Sequence, residues 1–384
     1  MKSVKLGEIG KIITGCTPST KKSEYYADNK YMFVGPSNIK KVMYVVSSEK
    51  NISEKAFEDY KNRFIEENSI VVDCIGSDMG NVAIVKSKCL TNQQINAISN
   101  IDEECYNIKY IYYVLSTMKK YFHLIGTNGS TMPILNKTMF ENIEVEIPKI
   151  EIQNKIAKIL SKLDDKIKLN NEINNNLHEL MKIMFNNCID NLEEYEESVL
   201  SKIANYKNGL AMQKFRPIDE SGLPVIKIKE MNSGITSETE RCRSDIDSDV
   251  IIDNADILFA WSGTLCMSIW CEGRAGLNQH IFKVTSDKYP KWFYYFWTLK
   301  YLDNFIEIAA GKATTMGHIK RTELDKAIVK IPNEKIMEKM DKIFTPMFNE
   351  YVNNSIESKN LSELRDTLLP KLMNGEIDLD NIEI

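Results

Sequence analysis

The chain has 384 residues, 43% of them apolar and 27% charged, an ordinary balance for a folded protein with room for two domains, each able to bury a core. No run approaches the roughly 18 apolar residues that a membrane span requires, and the opening MKSVKLGEIG lacks the apolar stretch of a signal peptide, so the expected location is the cytoplasm without membrane contact. The net charge of −5 is uneven, with 19 Lys and Arg against 17 Asp and Glu in residues 1–150 but 6 against 11 in residues 333–384, so the basic surplus of a chain that grips phosphates unaided is missing.

In chain order, LGEIGKIITG (6–15) alternates apolar and polar and runs into the Gly/Pro/Ser-rich loop GCTPSTKK (15–22). SIVVDCIG (69–76) is β-branched and stops at glycine, which predicts a strand. TNQQINAI (91–98) and the aromatic YIYYVLSTMKKYF (110–122) follow. GSTMPILNKTMFENIEVEIP (129–148) then reads as a loop, a short helix and a strand ending in Ile-Pro. A long charged helix comes next, with Ile156, Leu163, Asn170, Leu177 and Met184 every seven residues and Ile159, Ile173 and Leu180 at the neighbouring d-type positions.

The series then starts again. LSKIANYKNG (200–209) matches the first stretch at Leu200, Ile203 and Gly209, and the loop NGLAMQKF (208–215) follows. DILFAWSG (256–263) is the second strand-like run, and LNQHIFKV (277–284) repeats Asn92-Gln93 as Asn278-Gln279. WFYYFWTLKYLDNF (292–305) is the second aromatic segment. ATTMGHIKRTELDKAIVKIP (313–332) carries Thr315, Met316, Thr322, Ile331 and Pro332 where the first copy has Thr131, Met132, Thr138, Ile147 and Pro148. A second long helix has Met340, Met347, Asn354, Leu361 and Leu368 at the heptad positions, with Ile343 and Leu364 at d. Its seam is interrupted by Glu350 and Glu357, and Pro346 is expected to kink or restart it.

A doubled series of this kind defines the architecture. The expected fold class is α+β (mixed α/β): one domain over 1–148, a long helix over 149–190, a second domain over 191–332, a second helix over 333–375 and a tail over 376–384. The two helices are expected to pair as an antiparallel coiled coil. A helix of about 38 residues is about 57 Å long, enough to hold two domains apart. Asn170 and Asn354 share a heptad position, where a buried polar pair would cost stability and fix register; unpaired helices would instead leave both in solvent.

Catalytic signatures do not assemble. The chain contains no Pro-Pro pair for an Asn/Asp-Pro-Pro-aromatic loop, and no glycine-rich cofactor turn follows a strand. GKATTMG (311–317) lacks the order of a phosphate loop, and Pro217-Ile218-Asp219-Glu220 reads as a turn. Cys16 has no thiol at its counterpart near Leu210 and no recurring His/Asp partner. The eight cysteines form no C-x-x-C and the four histidines are scattered, so no metal site is expected. The run Trp292, Phe293, Tyr294, Tyr295, Phe296, Trp297 offers a stacking platform for bases, but it aligns with the mixed aliphatic run 110–115, which favours core packing.

Base readout needs polar side chains on rigidly held loops. The candidates at equivalent places are Ser19, Thr20, Lys21 and Lys22 against Asn208, Gln213 and Lys214; Gln94 beside Asn92-Gln93, against Asn278 to His280; and Asn128 and Ser130 against Lys312 and Thr314. Asn136, Lys137, Lys320 and Arg321 are candidates for phosphate contacts. The identical Asn-Gln pairs read equally as structural turns, because residues that read different sequences should differ between copies.

Two motifs then connect the whole chain to a family. LLPKLMNGEIDL (368–379) resembles the C-terminal conserved segment of the specificity subunits of type I restriction-modification systems. IPKIEIQNKIAKILSKLDDKI (147–167) is similar to that family's approach to its central helix, matching at Gln153, Ile156, Leu160, Leu163 and Asp164 and departing at Ile150. The second copy is looser, with no Gln and with Phe348 in place of the Asp. The resemblance implies that each domain reads one half of an asymmetric, two-part target in double-stranded DNA, and that the helices set the gap. It implies two methyltransferase subunits that bring S-adenosylmethionine, a restriction/translocase subunit that uses ATP, and no cofactor on this chain. The alternatives are a methylation-only system, a fused enzyme, whose catalytic motif is missing here, and a coiled-coil adaptor without a DNA role.

Overall fold

The computed structural model describes residues 1–40, 42–127, 133–217, 222–311 and 317–379. The chain divides into two compact units, Met1–Asp164 with Leu364–Ile384, and Asp165–Glu363.

In the first unit, Lys2–Lys5 pairs antiparallel with Glu144–Ile147, so the first strand and the Ile-Pro strand close the domain together. A five-stranded sheet has the order Lys11–Thr14, Ile95–Ser99, Ile70–Asp73, Val82–Val85 and Tyr44–Val45. A four-stranded sheet has the order Asn51–Ile52, Tyr31–Val34, Cys89–Thr91 and Phe64–Ile65. Ile70 to Asp73 are all buried, which is why SIVVD shows continuous rather than alternating hydrophobicity.

The second unit repeats this plan with one strand fewer in its main sheet. Tyr195–Val199 pairs with Ile328–Pro332. Its main sheet has the order Asn205–Asn208, Ile281–Thr285, Ile257–Ala260 and Cys266–Ile269. Its smaller sheet has the order Arg241–Cys242, Leu223–Ile226, Ala275–Leu277 and Ile251–Ile252. Register is kept as well: Thr14 lies opposite Asn96, and Asn208 opposite Phe282. The first unit adds only the edge strand Tyr44–Val45, which pairs parallel with Val82–Val85.

The aromatic segments are helices, Ile108–Thr117 with Lys119–Gly126 and Lys291–Lys300 with Leu302–Ala310. All of Trp292 to Trp297 are buried, so they are core and not a stacking platform. Two of them bond the long helices of their own unit. Trp292 Nε1 donates to Asp341 (2.8 Å), and Tyr295 O–H meets His178 Nε2 at 2.9 Å. In the first unit, Tyr113 O–H donates to Asp164 at 2.5 Å and Arg365 donates to the same carboxylate at 2.6 Å.

The long helices are Ile150–Asp190 and Glu334–Met373, and each begins just after an Ile-Pro. The unit boundaries, after Asp164 and after Glu363, fall within these helices. Within the second unit Lys166 pairs with Glu357, Asn174 bonds Tyr351 and Ser355, and Phe185 lies against Phe344. Numbers that rise along one helix fall along the other, so the pair is antiparallel.

The heptad seam needs correction in detail. Ile156, Asn170, Met340 and Asn354 are buried, whereas Leu163, Leu177, Met184, Met347, Leu361 and Leu368 are half-buried. Leu180, Ile343 and Leu364, expected at d, are exposed. The buried stripe runs instead through Ala157, Leu160, Asn174, Met181, Phe185 and Ile189, and through Phe344, Phe348, Val352 and Leu372. Each helix packs on its own domain as well as on its partner, so the stripe follows the helical repeat of 3.6 and drifts off a strict heptad. Asn354 pairs through its side chain with Asn174 (3.2 Å), while Asn170 bonds Glu357 (2.7 Å) and the Asn354 carbonyl (3.4 Å). Pro346 does not restart the second helix; it sits on the exposed side and the helix runs through it.

Candidate nucleic-acid interface

Three segments of each unit converge at one end of its main sheet, and local backbone demands explain how. In the first unit the chain leaves Lys11–Thr14 at Gly15, where an added Cβ would stand 2.1 Å from the Thr91 carbonyl. Gly209 is in the same position, 2.1 Å from the Leu277 carbonyl. Asn92 folds the second segment into a turn, its N–H donating to Val34 and its side chain accepting from Gln94 N–H (3.0 Å). Asn278 does the same toward Ile226 and His280 (3.3 Å). The shared asparagines are therefore structural turns.

The third segment is joined by a matching set of backbone bonds. Gly76 donates to Pro133 and Leu135 donates to Cys74, while Gly263 donates to Gly317 and Ile319 donates to Trp261. Gly76 (φ +108°) and Gly263 (φ +77°) adopt the left-handed conformation that the turn needs and that side chains resist.

The candidates named from sequence surround these ends with unequal freedom. Ser19, Thr20 and Lys21 are exposed; Lys22 is exposed but bonded to Tyr25 O–H (3.1 Å) over its ring. Gln94 is half-buried and accepts from Asn92. Asn136 caps the helix Lys137–Glu141 by accepting from Met139 N–H, which gives it a structural task, and Lys137 is exposed. In the second unit Gln213 and Lys214 stand exposed on the short turn Met212–Lys214, and Asn208 is half-buried. Lys320 is exposed; Arg321 donates to the Tyr206 carbonyl (2.8 Å) and lies 5.7 Å over the Phe282 ring. Arg321 also lines a cavity of about 610 Å³ with Lys202, Lys288, Asp287 and Asp325. Asn128, Ser130, Lys312 and Thr314 lie outside the described residues.

Sequence reading missed several groups here. Asp78 receives both Lys40 and Lys119 at 2.7 Å, and their hydrogen bonds, Lys119 first, hold its carboxyl down to about 2. The buried Asp73 carboxylate accepts from the N–H groups of Gly80 and Asn81 and from the Asn81 side chain, and burial pushes its pKa up. In the second unit Trp261 and His318 cluster with His280, itself named from sequence, beside Phe282. Comparing side chains at equivalent turn positions would have found that cluster.

The arrangement offers polar loops on two rigid sheets, and its thiols are poor nucleophiles. Burial raises the Cys16 pKa, opposed only by Arg63, and pushes Cys74 and Cys89 up to about 12. Among the described residues no group of three or more His, Cys, Asp or Glu converges as metal ligands would, and no helix is long and apolar enough to cross a membrane.

Comparison with known proteins agrees with this duplicated, loop-bearing fold. The family model described as type I restriction modification DNA specificity domain matches twice, over residues 1–179 and 192–363. The chain belongs to that family. It is 26% identical over 420 residues to the type I restriction enzyme MjaIX specificity subunit of Methanocaldococcus jannaschii, covering 98% of this chain and 94% of that one. It is 30% identical over 161 residues to the HindI specificity subunit of Haemophilus influenzae, covering 41% and 35%. The crystal structure of the type I restriction-modification S subunit from M. genitalium matches with a TM-score of 0.60 over 97% of this chain and 95% of that one, at 14% identity, and so shares the fold. The chain is thus a specificity subunit, a DNA-recognition component and not a catalyst, that assembles with other subunits of its system.

Proposed function

We propose that each repeat reads one half of an asymmetric bipartite target in double-stranded DNA, and that the long helices set the gap and bind two methyltransferase subunits. One observation carries this reading: the two units keep the same turns at the same sheet ends while the side chains on them differ. Gly15 and Gly209, or Asn92 and Asn278, do identical backbone work. Thr14 and Asn208, Cys74 and Trp261, and Gln94 and His280 occupy equivalent places with different chemistry. A reader of two unequal sequences needs such a division of labour.

The partners would supply S-adenosylmethionine chemistry on an extruded base and, where a restriction/translocase subunit is present, ATP-driven movement. This chain contributes position: loops that meet base edges, and exposed Lys21, Lys137, Lys214 and Lys320 that neutralise phosphates. Co-expression with the methyltransferase subunit, followed by genome-wide mapping of methylated bases, tests the reading. A bipartite motif is expected, and replacing residues 1–148 with another member's first repeat should change one half of it alone. No motif under active enzyme, or a change in both halves, would defeat it. A methylation-only system gives the same map without cleavage of unmodified DNA.

A further inference from the structure

In the second repeat, three polar atoms at the sheet end are fully shielded and have no hydrogen-bond partner among the described residues. They are Asn208 Oδ1, Trp261 Nε1 and His280 Nδ1. They belong to one neighbourhood. Asn208 lies directly across from Phe282, Trp261 stacks on Phe282 with ring centres 5.6 Å apart, and His280 lies 6.1 Å from Trp261. His318 forms a further wall, 6.3 Å from Trp261. The Gln279 amide nitrogen donates to His280 Nε2 at 3.2 Å, which places the imidazole proton on Nδ1. The cluster thus holds two idle N–H donors and one idle acceptor.

At the matching places of the first repeat the equivalent groups are satisfied, although Thr91 Oγ1 beside them is also without a partner. Thr14 donates to Asn96, Asn96 donates to the Leu135 carbonyl, Gln94 accepts from Asn92, and Cys74 is buried with its thiol toward the Val72 carbonyl. Buried polar groups are nearly always paired, so three orphans together call for a partner from outside. The three residues are only half-buried, which puts the cluster at the surface of its unit.

Building on the proposed reading of DNA, we infer that Asn208, Trp261 and His280 are the base-contacting side chains of the second repeat. The indole and imidazole N–H groups donate to acceptors on a base edge, N7 and O6 of guanine being the best matched pair, and the Asn208 carbonyl accepts from an exocyclic amine. Phe282 is the floor on which the indole turns, and the neighbouring Lys320 holds the backbone.

The test uses the methylating complex, carrying Trp261→Phe, His280→Gln (the residue of the first repeat at that place) or Asn208→Ala in turn. Each should relax at least one base position in one half of the methylated motif, with the preference there falling about tenfold or more. The other half serves as an internal control of folding and assembly and should be unchanged. Wild-type motif and rate in all three variants would overturn the inference. So would loss of both halves together, which would assign the cluster a structural role. A wild-type complex that yields no bipartite motif would instead remove the underlying reading.

Discussion

Gly209 has no room for a side chain, since a Cβ there would press on the Leu277 carbonyl. Gly209→Ala is expected to destabilise the second unit by about 1–3 kcal/mol, read as a lowered urea midpoint with unchanged slope. A midpoint within error of wild type would show that the turn can yield. His178 makes a second residue-scale prediction. Its ring meets Tyr295 O–H and lies near Phe296 and Tyr351, and burial lowers its pKa, with Glu179 pulling upward and Lys182 downward. The folded chain thus disfavours the imidazolium. The neutral form's contribution is complete above the ordinary histidine pKa of about 6.5 and is lost as pH falls through it toward the depressed folded value. Thermal melting between pH 7 and 5 should decline less steeply in His178→Gln; equal slopes would count against it. Gln153 shows why one residue of the motif at 147–167 was readable. It is buried, donates to the Cys105 and Pro148 carbonyls and accepts from Asn107 N–H, so it locks the helix start to two loops.

At the scale of elements, the helix pair depends on a few dense contacts. Phe185 meets Trp292, Phe293, Phe296, Trp297 and Phe344 within one unit. Phe185→Ala should therefore cost about 3–5 kcal/mol in chemical denaturation, far more than Leu180→Ala on the exposed side. Asn354→Ala should cost about 1–3 kcal/mol, because it leaves Asn174 Oδ1 without its donor; Leu at both positions should restore or raise the melting temperature. Recovery no better than the single variant would mean that the polar layer does more than hold register. These elements also show what the sequence could carry. The duplication was legible because glycine and asparagine are fixed by backbone geometry and keep their places, as Gly15, Gly209, Asn92 and Asn278 do. The seam was legible only in part, because a heptad ruler assumes that a helix sees its partner alone, and both helices also serve their domains. Asn208 and His280 were legible as candidates, but Trp261 was not joined to them, because strand register is what brings the three together.

For the whole molecule, charge sets how it meets DNA. A chain of net charge −5 has little backbone attraction of its own, so its affinity for duplex DNA should be weak alone and rise on adding the methyltransferase subunit. Fluorescence anisotropy against salt should show a shallow slope for the chain and a steeper one for the complex; equal slopes would place the phosphate contacts on this chain.

The tail after the second long helix has another consequence. Leu379 accepts a hydrogen bond from Lys155, and Met1, Pro148, Ile152, Leu372 and Gly375 line one cavity of about 420 Å³ with it. Met1 and Leu379 therefore lie close together in the same unit. A chain joined from Leu379 to Met1 by a short linker and opened between the exposed Glu193 and Glu194 is expected to keep both units folded, read as an unchanged urea midpoint. Which repeat is first is then an accident of where the ring is cut.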